Sequence, residues 1–177
     1  MEEIALIEEQ LTTSYIPRTV LFALAEVMAV KISPDSKTLA YVKGEPTGVM
    51  NLHICAASEC HQGGALVQIT HFTTPEIYRF FWTDDAKHIV FLKDNNGSKS
   101  YQLYSINIES GEIKNHTTTF KAITAKIFKV SGHKVAVGIN DRNPNYHDIF
   151  ILDTSNDALT KIFENNRFSR FTFDTAE

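Results

Sequence analysis

The sequence is poor in the features that would place it at once. Its 177 residues include two cysteines, Cys55 and Cys60, too few for a disulfide framework. With no export signal in view, both are expected as reduced thiols. The N-terminus, Met1-Glu2-Glu3-Ile4-Ala5-Leu6, opens with acids where a secretory leader would carry Lys or Arg. No apolar run approaches the roughly 20 residues of a membrane span. These absences predict a cytoplasmic chain with no membrane partner. Basic charge is scarce too: 17 Lys and Arg against 21 Asp and Glu give a net charge of −4, and no basic cluster exceeds the Arg167 and Arg170 pair. That argues against nucleic acid as a partner. Asn96-Gly97-Ser98 and Asn115-His116-Thr117 match the glycosylation pattern, which has meaning only in a secreted chain. What remains, 43% hydrophobic and 21% charged residues, suits a globular domain with a sizeable core.

What is present is a repeat of about 50 residues: apolar strand, polar turn ending in Lys, second apolar strand, hairpin. Ile32-Ser33-Pro34-Asp35-Ser36-Lys37-Thr38-Leu39-Ala40-Tyr41-Val42 aligns without a gap on Trp82-Thr83-Asp84-Asp85-Ala86-Lys87-His88-Ile89-Val90-Phe91-Leu92. A looser copy runs from Val130-Ser131-Gly132-His133-Lys134 into Val135-Ala136-Val137. The turn has a chemical reason, since Pro34 presets φ and Asp35 and Asp84 can accept bonds from nearby amides. Four strands per copy at this period predict an all-β fold, a partial β-propeller of about three four-stranded antiparallel blades.

Alternating β-branched and aromatic residues, punctuated by Gly, Pro, Asn and Asp, mark the strands. The first blade (27–70) takes 27–32, 38–43, 50–55 and 65–70, and the second (77–117) takes 77–83, 88–93, 101–107 and 113–117. The third (123–164) takes 123–130, 134–140, 148–153 and 159–164. Residues 168–174 alternate as the innermost strand of a fourth blade would. Residues 1–26 form an N-terminal arm whose first 14 residues suit a short helix or a loose segment, and Ala23 to Ala29 suit one helical turn.

Ile16-Pro17-Arg18-Thr19-Val20-Leu21-Phe22, Ser33-Pro34-Asp35-Ser36-Lys37, Gly48-Val49-Met50-Asn51-Leu52 and Phe81-Trp82 ahead of His88-Ile89-Val90-Phe91 together resemble the N-terminal propeller of the prolyl oligopeptidase family. The likeness is to its acylaminoacyl-peptidase and dipeptidyl-aminopeptidase-like branch. Tyr101-Gln102-Leu103-Tyr104 with Gly111-Glu112, and Asn140-Asp141-Arg142-Asn143-Pro144 before His147-Asp148-Ile149-Phe150, continue it from residue 15 onward. The Ser-Pro-Asp-x-Lys turn alone also occurs in TolB-type propellers. The resemblance implies fusion to an α/β-hydrolase domain with a Ser-His-Asp triad, to which the propeller limits access. The nucleophile elbow Gly-x-Ser-x-Gly is absent from this sequence, so no catalytic residue carries over.

The remaining candidates have plainer readings. His88 and His147 fall at strand starts and His133 in a turn, so sequence places no two histidines in one site, and no catalytic or cofactor-binding residue is expected. His53, Cys55, Cys60 and His61 have zinc-ligand chemistry, but the spacing suits a strand and a nearby loop, and no metal is expected. Asp94-Asn95-Asn96-Gly97 resembles the start of a calcium loop, but Ser105 stands where the twelfth-position carboxylate belongs, so a hairpin turn is expected. Tyr78, Phe80, Phe81 and Trp82 are expected to fill the space between blades. Asp141 and Arg142 are expected to pair with an adjacent blade, or with a substrate terminus.

The expected function is that of a propeller portion of a prolyl-oligopeptidase-like serine peptidase, inactive alone, gating or docking toward the hydrolase domain. The alternatives are a TolB-like interaction module or the remnant of a truncated peptidase gene, the latter suited to the end at Asp174-Thr175-Ala176-Glu177. Three blades leave two apolar faces open, so the expected partners are the hydrolase domain, further blades or a second copy, with peptides as ligands of a full enzyme.

Overall fold

The computed structural model describes residues 27–44, 48–60, 65–74, 77–94, 97–121 and 123–174. The expected arm over residues 1–26 and His61 lie outside them. Twelve strands are described: β1 (Val27–Ile32), β2 (Thr38–Gly44), β3 (Met50–Ala56), β4 (Val67–Gln68), β5 (Ile77–Trp82), β6 (His88–Asp94), β7 (Tyr101–Asn107), β8 (Ile113–Asn115), β9 (Lys126–Ser131), β10 (Lys134–Asn143), β11 (Tyr146–Asp153) and β12 (Ala158–Phe163). They form three four-stranded antiparallel meanders, β1 to β4, β5 to β8 and β9 to β12, which are the three predicted blades.

The polar turns of the repeat are built by side chains. In blade 1 the Ser33 hydroxyl donates to Asp35 Oδ1 at 2.6 Å, the same oxygen accepts the Lys37 amide at 3.1 Å, and the Thr38 amide donates back to Ser33 Oγ at 2.9 Å. Thr83, Asp85, Lys87 and His88 repeat the pattern in blade 2. Ser36 and Ala86 take the left-handed conformation that closes each turn, with φ of 61° and 57°. The capping carboxylate of blade 2 is thus Asp85, whereas Asp84 points away, its Oδ2 accepting the Gly132 amide of blade 3 at 2.6 Å.

The core lies between blades. Ala40, Val42, Met50 and Leu52 of blade 1 meet Ile77, Phe80, Trp82, Ile89, Phe91 and Ile106 of blade 2. The other face of blade 2, with Val90, Leu92 and Leu103, meets Ile123, Ala125, Val135, Val137, Ile139 and Leu152. Period-two alternation along β6 therefore serves two interfaces, which is why His88–Leu92 reads as a nearly unbroken apolar run. Each first strand carries a register shift, between Met28 and Lys31 in β1, Ile77 and Arg79 in β5, and opposite Ala136 and Val137 in β9. Such bulges bend the strand and redirect side chains.

Three expectations change. Residues 168–174 form no strand, because no neighbouring strand offers a ladder. Instead Phe171 and Phe173 lie against Phe128 on the outer face of blade 3, with ring centroids 5.9 and 5.7 Å away. The fourth strands of blades 1 and 2 are shorter than read: β4 ends at Gln68 because the Leu52 amide is taken by the Thr70 hydroxyl at 2.9 Å. In the same way Thr117 Oγ1 accepts the Leu103 amide at 3.1 Å beyond β8. Finally, Cys55 and Cys60 are joined in a disulfide, since the turn after β3 brings their Cα atoms within 5.7 Å.

Candidate functional site

Near the start of each third strand stands a polar residue followed by an apolar one, Asn51 in β3, Gln102 in β7 and Asp148 in β11. Asn51 Oδ1 accepts the Thr70 hydroxyl and the Phe72 amide, both at 2.9 Å. Gln102 Oε1 accepts the Asn115 amide group at 2.7 Å. Asp148 takes a fork from Arg142, Nε at 3.1 Å and a terminal nitrogen at 2.9 Å, plus the Asn165 amide at 2.9 Å. Thr70, Thr117 and Asn165, where each blade hands the chain onward, are fully buried. Arg142 thus pairs within its own blade, through the β10–β11 hairpin, and not with an adjacent blade. Asp141 Oδ1 accepts the Lys121 amide of the inter-blade linker at 2.9 Å. Burial favours protonation of Asp148, but Arg142 and the Asn165 amide outweigh it and hold the carboxyl below the ordinary range.

Contrary to the sequence expectation, two histidines share a partner. His88 Nδ1 and His133 Nδ1 each lie 3.2 Å from Asp85 Oδ2, joining the β5–β6 turn of blade 2 to the β9–β10 turn of blade 3. Burial acts to raise Asp85, yet the Thr83 hydroxyl, the Lys87 amide and His88 bring it down to about 2. A second inter-blade link, Lys114 Nζ to Asp157 Oδ2 at 2.5 Å, ties β8 to the β11–β12 turn.

Ser105 and His116 also meet, Oγ to Nε2 at 2.8 Å, a nucleophile-and-base spacing that sequence separation concealed. The carboxylate of Asp157 is bonded to Lys114, and among the described residues no group orients the ring. Ser105 is buried, and burial lowers the basicity of His116. The pair reads as a satisfied contact between β7 and the end of β8.

Of the metal candidates, Cys55 and Cys60 are consumed by their mutual bond, and His53 stacks on Tyr41 with Nδ1 3.2 Å from the Asn51 carbonyl oxygen. Among the described residues no three His, Cys, Asp or Glu gather as a metal group. Gly97 turns the β6–β7 hairpin with a φ of 77°, and Asp94 Oδ1 accepts the Ser100 amide at 3.1 Å, as a hairpin requires. Phe80 and Trp82 fill the gap between blades 1 and 2 and Phe81 packs toward blade 3, but Tyr78 stays 49% exposed.

Both end faces are apolar. On blade 1, Val27, Val30, Leu39, Tyr41 and Leu66 line a hollow of about 260 Å³, and the buried Tyr41 hydroxyl has no hydrogen-bond partner among the described residues. On blade 3, Ile149, Ile162, Phe163, Phe168 and Phe171 line one of about 390 Å³.

No protein-family model matches the chain. It is 30% identical over 167 residues to dipeptidyl peptidase family member 6 of Caenorhabditis elegans, covering 90% of this chain and 22% of that protein. It is 32% identical over 157 residues to dipeptidyl aminopeptidase BIII of Pseudoxanthomonas mexicana, covering 87% and 22%. The chain is similar to the propeller portion of prolyl-oligopeptidase-family peptidases. It spans about a fifth of the length of these curated relatives. The fold agrees. The dipeptidyl peptidase 4 of Porphyromonas gingivalis superposes with a TM-score of 0.60 at 15% identity, over 83% of this chain and 27% of that one. The β-propeller domain of the trilobed protease of Pyrococcus furiosus gives 0.59 at 17% identity, over 81% and 44%. TolB from Acinetobacter baumannii gives 0.52 at 20% identity, over 76% and 31%.

Proposed function

We propose that these blades belong to a peptidase in which they form part of an access-limiting propeller, docking against an α/β-hydrolase domain that supplies the chemistry. The observation that carries this reading is the sequence match to two dipeptidyl-peptidase-type proteins across about nine-tenths of the chain but only 22% of either relative. The two open apolar faces support it, since each presents the kind of surface that blades 1 and 2, and 2 and 3, bury against each other. Among the described residues Ser105 and His116 meet without an orienting carboxylate, which supports a non-catalytic reading of these blades.

The test is twofold. The 177-residue chain, incubated with a fluorophosphonate probe and with dipeptidyl p-nitroanilides, is expected to remain unlabelled and to release no nitroaniline. Labelling at Ser105 would overturn the non-catalytic reading. An antibody against the chain, applied to its own cells, is expected to detect a species several times heavier than 20.0 kDa. A species at 20.0 kDa would favour the second reading, a TolB-like interaction module, which the TolB superposition supports structurally.

A further inference from the structure

Blades 2 and 3 leave between them a crevice of about 400 Å³, within the range of small-ligand sites. It lies between two blades that are both present, so its walls do not depend on further blades. Tyr78, Arg79 and Tyr101 line one side, Lys126 and Phe128 the other. Bulges put several of them there: the register shift in β5 leaves Tyr78 and Arg79 both exposed in succession, and that in β9 falls at Phe128.

The crevice carries two cations, Arg79 and Lys126. Lys37, Lys87, Lys114, Arg142 and Lys161 all have carboxylate partners. Arg79 and Lys126 have none among the described residues. Neighbouring groups register this charge. Lys31 is held below the ordinary lysine value by burial and then by Arg79, and His147 below the ordinary histidine value by burial and then by Lys126. On the aromatic side Tyr78 stacks on Tyr101 at 4.7 Å and the Arg79 guanidinium lies 5.3 Å from the Tyr78 ring. A planar guanidinium fork and an ammonium lining the same crevice suit a carboxylate, and the stacked rings suit an adjoining side chain.

We propose that this crevice binds a peptide carboxylate between Arg79 and Lys126, with the neighbouring side chain against Tyr78 and Tyr101. The anion preference follows from the crevice itself; the choice of a peptide rests on the peptidase-propeller reading. The carboxylate can come from a chain terminus or from an acidic side chain.

Four probes test this by NMR titration of the 177-residue chain, followed at the Arg79 Nε–H and the Lys126 amide: acetate, tetra-alanine, tetra-alanine amide, and an acetylated, amidated Ala-Glu-Ala-Ala. Saturable shifts with tetra-alanine and not its amide assign a terminal carboxylate. Saturation with the glutamate peptide assigns a side chain. In either case Arg79→Gln and Lys126→Gln, both at exposed positions, should each weaken binding about tenfold without altering the rest of the spectrum. If acetate saturates the crevice as tightly as any peptide, the assignment to peptides is overturned and the peptidase reading loses its support here, while a small-anion site stands. If the amide binds equally well, if both variants bind unchanged, or if no probe saturates, the carboxylate site itself is overturned.

Discussion

Replacing Asp148 with Ala would remove the hub that fixes the exit of blade 3. The carboxylate is buried and accepts three hydrogen bonds, two from Arg142 and one from the Asn165 amide. Asn165 is itself fully buried, so its amide would be left without an acceptor at a cost of about 1–2 kcal/mol. The guanidinium is 37% exposed and keeps the Asn165 carbonyl oxygen at 2.7 Å, so water and that contact replace much of the lost fork. The expected total is about 2 kcal/mol, a fall of about 1 M in urea midpoint at a slope of about 2 kcal/mol/M. Asp148→Asn, which keeps an acceptor for the Asn165 amide, should lose about half as much. In a double-mutant cycle, Arg142→Ala added to Asp148→Ala should cost less than it does alone, because the two share these bonds. Equal stability of Asp148→Ala and the parent, or strict additivity in the cycle, would refute the hub.

Asp85 should make the fold acid-sensitive in a defined window. Its pKa is lowered to about 2 by the Thr83, Lys87 and His88 bonds against opposing burial, so its stabilisation is complete above the unfolded carboxylate value near 4 and is lost as pH falls through 2. After allowance for solvent screening this is about 1–2 kcal/mol, and Asp85→Asn should flatten that part of a stability–pH curve; an unchanged slope would contradict it. The Cys55–Cys60 bond predicts no maleimide uptake by the native protein and two adducts after reduction. Reduction should cost about 2 kcal/mol for so short a loop, and ready alkylation without reductant would show the thiols to be free. At Gly138 an added Cβ would lie 2.6 Å from Phe128 Cε2 and 3.0 Å from His147 Cβ. Gly138→Ala should therefore lose about 1–3 kcal/mol in thermal unfolding, and a neutral result would mean that Phe128 swings aside freely.

The blades were legible because their turns are written in contiguous residues. Ser33, Asp35 and Lys37, and Thr83, Asp85 and Lys87, satisfy one another within five positions, so the motif can be read without knowing what lies across the sheet. The third turn lacks the carboxylate and borrows one from its neighbour, Asp84 reaching Gly132, which explains both its looser wording and the misassignment of Asp84 to its own turn. The anchors Asn51 with Thr70, Gln102 with Asn115 and Asp148 with Asn165 escaped because their partners stand 13 to 19 positions away and are joined only through strand register. A trace of them was present in Asn51-Leu52, Gln102-Leu103 and Asp148-Ile149, a polar residue before an apolar one near the start of each third strand.

The crevice was hidden for a related reason. An alternating pattern assigns Tyr78 to the face shared with Phe80 and Trp82, and only the register shift between Ile77 and Arg79 turns it outward. A bulge adds a residue without changing the composition of a strand, so periodicity misplaces the side chains at the shift. Those are the side chains that this fold leaves accessible between blades. Where the strands keep strict alternation, in β6 and β7, nearly every apolar residue is spent on packing the blades together. Where they depart from it, in β5 and β9, Tyr78, Arg79 and Lys126 are turned to the crevice, with Tyr101 at the start of β7 stacked on Tyr78.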